Sequence, residues 1–141
     1  FNSAAALNIS EKVNNLQDGV RLASDALLFI IPEYNGSFPG ILKMFIDYLP
    51  FPEAFQAKPI AYIGISAGAF GSLRAVEQFQ MVANYRNALS YPERLFISRF
   101  SANFSIENGL TNLTQKTLLE SQTKGFVDFV QRMKKSVTQE H

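Results

Sequence analysis

Two stretches of this chain concentrate the residue types that could hold a ligand: Pro32-Glu33-Tyr34-Asn35-Gly36-Ser37 and Ser66-Ala67-Gly68-Ala69-Phe70-Gly71. In the first, an aromatic ring, an amide and a glycine stand together, a set suited to the edge of a planar heterocycle. In the second, small side chains leave backbone N–H groups open where a helix begins, so something flat or anionic could approach closely. Each stretch also has a plainer reading. Asn35 could take a left-handed conformation in a helix-entry turn with Tyr34 over the strand end, and glycines serve tight turns and close helix packing. Phe70 fits a stacking surface or a core position. The second loop is neither a GxGxxG turn nor a Walker phosphate loop. Glu33, with no His to pair with, reads more simply as a solvated carboxylate than as a general acid or base. Arg74 reads as the partner of a phosphate or, more simply, of a surface carboxylate.

Most other chemistries are ruled out by composition. The chain has no Cys, and its single His is His141 at the very end. Disulfides, thiolate nucleophiles, zinc sites and Ser-His triads are therefore excluded or nearly so, and no residue is assigned a catalytic or metal role. Redox or group-transfer chemistry has to arrive with a cofactor. Thirteen Lys and Arg against 12 Asp and Glu leave a net charge of +1, which recommends neither nucleic acid nor an anionic membrane as partner. Arg132, Lys134 and Lys135 form one basic cluster, placed where a helix C-terminus would favour it. The apolar runs at 26–31 and 60–63 are far shorter than the roughly 20 residues needed to span a bilayer. Sequons at Asn8, Asn35, Asn103 and Asn112 follow nothing resembling a signal peptide, so a cytoplasmic protein is expected. Because residue 1 is Phe, the natural start of the polypeptide is expected to lie outside this sequence.

The elements that must position the two loops are legible as alternating strands and helices. With 141 residues, 47% of them hydrophobic, one domain with one core is expected over the whole chain. Ser10 caps a short helix over 11–23 whose apolar positions are Val13, Leu16, Val20 and Ala23. Residues 26–31 form a continuous apolar run, the pattern of a parallel strand buried on both faces, ended by Pro32. After the first loop, which Ser37 closes as a helix cap, Ile41, Leu42, Phe45, Ile46 and Leu49 recur on one helical face until Pro50 and Pro52. Residues 60–65 repeat the strand, and the second loop leads to a helix from Leu73 with Ser72 as its cap and Val76, Phe79, Val82 and Ala83 inward. A third strand is predicted near Leu95 to Ser98. A last helix from about Leu113 to Lys135 turns Leu118, Leu119, Phe126, Phe129, Val130 and Met133 inward. This order is that of right-handed βαβ units, an α/β doubly wound parallel sheet in three layers. In such sheets ligands sit beyond the carboxyl ends of the strands, which is where both loops lie.

Taken together, Ala23-Ser24-Asp25-Ala26, the run from Pro32 to Lys43, and Ile46-Asp47 resemble the NAD(P)H-dependent FMN reductase family. Lys58-Pro59-Ile60, Gly64-Ile65-Ser66, Gly68, Gly71, Arg74-Ala75 and Gln78 form a second matching block at the expected separation. The likeness is strong over about residues 20–90. It implies a flavodoxin-like fold with strand order 2-1-3-4-5, FMN as resident cofactor, and NADPH or NADH as co-substrate. It also implies an enzyme that passes hydride through FMN to a quinone, flavin or similar small acceptor. By the same resemblance, Pro32, Glu33, Tyr34, Asn35 and Gly36 lie along the flavin and ribityl edge, and Ser66, Ala67, Gly68, Phe70 and Gly71 approach from the next loop. A homodimer or homotetramer is implied as well. Relatives carry a first strand, a phosphate loop and a second strand that have no counterpart in this sequence. The strand at 26–31 is therefore expected to present an open edge, covered by a segment outside the sequence or by another chain. A flavodoxin-like electron carrier or binding module without nicotinamide activity is the alternative, and a cofactor-free fragment is a third.

Overall fold

A computed structural model describes residues 11–12, 14–20 and 24–138. Ser10, Val13 and Ala23 of the expected first helix lie outside the described residues; 14–20 are helical (α1). The chain then runs β1 (Leu27–Pro32), α2 (Gly40–Tyr48), β2 (Pro59–Ile65), α3 (Leu73–Tyr85), β3 (Leu89–Ser90), β4 (Leu95–Ile97), α4 (Phe100–Asn103), β5 (Phe104–Ser105), β6 (Gly109–Leu110) and α5 (Leu113–Thr138). β2 is the centre of the main sheet. It pairs in parallel with β1 on one side and with β3 and then β4 on the other. All pairings in this sheet are parallel because each return passes through a helix.

Alternation along β2 divides the core into two layers. Ile60 and Tyr62 face α2 and α3, where Ile31, Ile46, Val76, Phe79 and Ala83 close a buried cluster with Phe29 packed against it. Ala61 and Ile63 face the opposite side, against Tyr91 and Phe126 in one cluster and Leu95 and Ile97 in another, with Leu119 and Phe129 of α5 alongside. Helices therefore cover both faces, the flavodoxin-like three-layer arrangement. The outer side of β1 differs. Among the described residues β1 pairs only with β2, and Leu28 and Ile30 are half exposed or more.

The ends of α2 and α3 are joined by Arg86. Its guanidinium donates to Ile46 O at 2.7 Å and to Leu49 O and Pro50 O, carbonyls at and just beyond the C-terminus of α2. The ring of Phe55 lies 5.0 Å from the same group, and burial pushes the guanidinium pKa down. α2 follows the first loop directly, so Arg86 helps fix that loop's departure from the sheet.

On the far side of β2, Gly64 and Gly71 permit an approach no other residue could share. A Cβ on Gly64 would lie 2.3 Å from Gly71 O, and one on Gly71 would lie 2.7 Å from the carbonyl carbon of Phe96. Gly71 also has φ +57°, which favours glycine.

Several local expectations are corrected. Ser72 does not cap α3 with its side chain: it sits at φ 71° with its hydroxyl buried and unpartnered. Ser37 does not cap α2 either, because that helix begins at Gly40 and the Ser37 hydroxyl bonds elsewhere. Ile41 and Leu118 are exposed rather than inward. The short α4 and the β5–β6 hairpin were not predicted, and α5 is capped by Asn112, whose Oδ1 accepts from Gln115 N at 3.0 Å.

Two outcomes follow for stability. Arg86→Ala removes three charged hydrogen bonds and is expected to lower the unfolding free energy by about 2–4 kcal/mol in chemical denaturation. Gly71→Ala, forced into backbone contact at positive φ, is expected to cost about 2 kcal/mol or more in the same measurement.

Candidate functional site

Parallel pairing of β1 with β2 places Pro32 opposite Ile65, so both strands end level with each other. The two loops consequently emerge side by side. The first is a two-residue turn. Tyr34 N donates to Ser37 O at 2.8 Å and Ser37 N to Tyr34 O at 3.1 Å. Between them Asn35 and Gly36 have φ of 52° and 77°, the pair of positive values that an Asn-Gly dipeptide supplies in a type I′ turn.

The second loop is held from the β4 side. Ser66 N donates to Ile97 O, Phe100 N donates to Ser66 O at 2.9 Å, and Arg99 N donates to Gly68 O at 3.0 Å. The carbonyls of Ser66 and Gly68 are thus engaged, while among the described residues no group accepts from the N–H of Ala67, Gly68 or Ala69. Three neighbouring unpaired donors on a strand-to-helix loop form a cradle for an acceptor-rich edge.

Between the loops is a concavity of about 250 Å³, lined by Glu33, Asn35, Gly36, Ser66, Ala67, Gly68, Phe70 and Arg74. Of the ten residues singled out from sequence, seven line it. Pro32 closes β1 behind it, and Tyr34 stands beside it with its ring largely exposed. Gly71 is turned toward Phe96 and Ile97 instead. Phe70 is exposed, 62% of its surface being accessible, so it is not a core residue. Gly68 has open space where a side chain would start, its nearest neighbour being Ser66 Oγ at 3.9 Å.

Three residues outside that set also shape the site. Arg74 pairs with Glu33 at 3.3 Å and stands 5.3 Å from the Phe70 ring. The pair is too exposed to be worth more than about 1 kcal/mol. Its effect is to set a fixed charge at the rim and to remove Glu33 from the candidates for a free general base. Ser37 Oγ donates to Gln78 Oε1 at 2.6 Å, and Gln78 Nε2 donates to Gly36 O at 3.1 Å. The sequence signal available for Arg74 and Gln78 was their spacing of four on one helix, facing whatever precedes α2.

Burial pushes Lys58 down and Tyr62 and Tyr91 up in pKa, but these groups belong to the core and to the amino end of the sheet. A larger apolar groove of about 470 Å³ lies between α2 and α3, with Phe51, Met81 and Tyr85 on its walls. It is mostly apolar and remote from the carboxyl ends of the strands, so the smaller concavity is the candidate site. Among the described residues no cluster of His, Cys, Asp and Glu could hold a metal, and no helix is long and apolar enough to cross a membrane.

An isoalloxazine, flat and edged with carbonyl and nitrogen acceptors, fits these features: donors on one loop, glycine at the points of closest approach, and exposed Phe70 and Tyr34 rings beside them. Comparison with known proteins agrees. The chain is 33% identical over 133 residues to an NAD(P)H-dependent FMN reductase of Pseudomonas aeruginosa, covering 92% of this chain and 71% of that protein. It is 34% identical over 106 residues to a 2-hydroxy-1,4-benzoquinone reductase of Burkholderia, covering 69% of this chain and 57% of the other. Among solved structures, the flavoenzyme NAD(P)H:(acceptor) oxidoreductase FerB of Paracoccus denitrificans superposes with a TM-score of 0.76 at 28% identity, over 94% of this chain and 75% of FerB. With the sequence pattern described as NADPH-dependent FMN reductase matching residues 2–102, and the two family loops meeting over one concavity, the chain belongs to the NADPH-dependent FMN reductase family.

Proposed function

We propose that this chain seats the isoalloxazine of FMN in the concavity between its two loops and serves a two-electron transfer from NADPH or NADH to a quinone, flavin or similar small acceptor. The observation that carries this reading is that Ala67 and Gly68, whose N–H groups are unpaired, line one concavity with the Asn35-Gly36 turn. The chemistry supplied by bound FMN is hydride acceptance from the nicotinamide and delivery of two electrons to the acceptor. The chain's part is to bind and orient. Backbone donors of the second loop hold the polar edge of the ring and favour negative charge there. Asn35 and Gly36 bound the opposite side, and the Phe70 and Tyr34 rings limit how solvent and substrates reach it. Arg74 contributes a cation at the rim, suited to an anionic part of the co-substrate. No protein nucleophile is needed, which suits a chain without Cys and without an internal His. The requirement for reduced nicotinamide supports a cytoplasmic setting.

Self-association belongs to the same reading. Ile41, Tyr48, Phe51, Met81 and Tyr85 are exposed by 61 to 78% on adjoining parts of α2 and α3, an apolar surface of roughly 500 Å² by the usual size of such side chains. That is at the upper end of what a solitary soluble protein exposes and a substantial part of one side of a standard interface. Lys43 and Asp47 at the groove rim pair with each other at 2.7 Å, so the rim offers no uncompensated charge to repel a second copy related by a twofold axis. A second copy is the occupant proposed for this face.

Three measurements test these statements. Purified protein given FMN should show flavin absorption and oxidise NAD(P)H when a quinone is present. Flavin binding without nicotinamide oxidation would point to an electron carrier, and refusal of FMN would overturn the reading. Gly68→Leu should leave the unfolding free energy within about 0.5 kcal/mol of the parent but weaken FMN binding by about tenfold or more, since the added side chain fills the cradle. In analytical ultracentrifugation the parent should sediment as a dimer or larger, and Met81→Glu with Tyr85→Lys should shift it to the monomer; an unchanged mass would remove this face from consideration.

A further inference from the structure

The type I′ turn at Asn35-Gly36 is an unusual place for a ligand rim, because its donors are set by two backbone conformations that most sequences avoid. Local bonds between Tyr34 and Ser37 close the turn but do not hold it to the domain. Among the described residues the side chain of α3 that bonds the turn's tip is Gln78, while Arg74 of the same helix pairs with Glu33 just before the turn. Gln78 Nε2 donates to Gly36 O at 3.1 Å, and its Oε1 accepts from Ser37 Oγ at 2.6 Å. Both functional atoms of one amide are thereby engaged by consecutive residues of the turn, which fixes the orientation of the amide as well as that of the Gly36-Ser37 peptide. Among the described residues no group accepts from the N–H of Asn35 or Gly36. Asn35 and Gly36 line the concavity, and Gln78 ties the adjoining Gly36-Ser37 peptide to α3, so this side chain sets where the turn and its two unpaired donors sit.

The backbone alone would not select this state. Gly36 moves between positive and negative φ at little cost, so rotation of the neighbouring peptides would redirect the free donors. Gln78 biases that choice from outside the turn. Asn cannot substitute, since its side chain is one methylene shorter. A carboxylate would retain the acceptor for Ser37 but would set a negative charge against the Gly36 carbonyl. Charged groups near this end of α3 are Arg74, one helical turn before Gln78, which pairs with Glu33, and the adjacent Glu77, which pairs with Arg94.

We propose that Gln78 is a positioning residue: its side-chain amide holds the Asn35-Gly36 turn in the conformation whose free N–H groups bound the flavin, and so controls cofactor affinity without touching the cofactor. This rests on the FMN reading given above. Two exposed hydrogen bonds of ordinary net strength correspond to about tenfold in an equilibrium constant.

The test combines amide hydrogen exchange in the full chain without FMN with fluorescence titration of FMN. For Gln78→Ala, exchange at Tyr34 and Ser37, whose bonded N–H groups close the turn, should accelerate about tenfold while β2 amides stay unchanged, and the FMN dissociation constant should rise about tenfold. Gln78→Glu should bind FMN as weakly as Gln78→Ala at pH 8 and recover toward the parent near pH 4.5, relative to the parent at each pH, because the protonated carboxyl can again donate to Gly36 O. A residue that merely supports the fold would give neither the local exchange change nor the pH-dependent recovery. Unchanged exchange at Tyr34 and Ser37 overturns the proposal, as does faster exchange with unaltered FMN affinity. If the parent itself refuses FMN, the functional reading fails, and the exchange data then show separately whether the clamp exists.

Discussion

Everything at the candidate site depends on the parallel register of β1 and β2. Pro32 stands opposite Ile65, and neighbouring strands lie about 4.8 Å apart. Two loops that leave the sheet level and adjacent can face one ligand across a few ångströms. That register is itself dictated by burial, since sliding one strand by a residue would turn Phe29 and Ile31 out of the layer they share with Ile60 and Tyr62. The core thus sets the site geometry indirectly, by deciding where the strands stop.

Once the strands stop level, the chemistry is carried mostly by backbone. Ser66 and Gly68 carbonyls are engaged by Phe100 and Arg99 on the β4 side, which leaves the intervening N–H groups to face the opposite way. Side chains serve as spacers: glycine where a Cβ would intrude, Phe70 and Tyr34 where a flat surface is wanted. An arrangement of this kind stabilises a bound group's charge without supplying a reactive side chain. It explains how a chain lacking Cys and internal His can belong to an oxidoreductase family. Among the described residues no strand pairs with the outer edge of β1, and Leu28 and Ile30 on that strand are exposed.

The strands, the main helices and the address of the site were legible in the sequence because they are recorded in contiguous patterns. Unbroken apolar runs identify β1 and β2, and Pro and Gly mark where they end. The type I′ turn was also legible, since Asn35-Gly36 is the strongest short hairpin dipeptide, although its plain reading as a helix entry obscured the paired bonds of Tyr34 and Ser37. Other features were written in no local pattern. The Ser37 and Ser72 hydroxyls stood before helices and looked like caps, yet one is used by Gln78, 41 residues away, and the other is buried by the tight approach of Gly71 to β4. No pattern in the sequence singles out Arg86, yet it closes the end of α2 forty residues earlier in the chain. Bonds across such separations depend on which elements pack together, and propensity does not encode that.

The central claim is that both loops contact one flavin at once. The most direct measurement is a titration of isotope-labelled protein with FMN, followed by backbone amide NMR. The account predicts that Asn35 and Gly36 on the first loop and Ala67, Gly68 and Ala69 on the second shift together, with one common dissociation constant. Shifts confined to one loop, or centred on Phe51 and Tyr85 in the groove between α2 and α3, would contradict it.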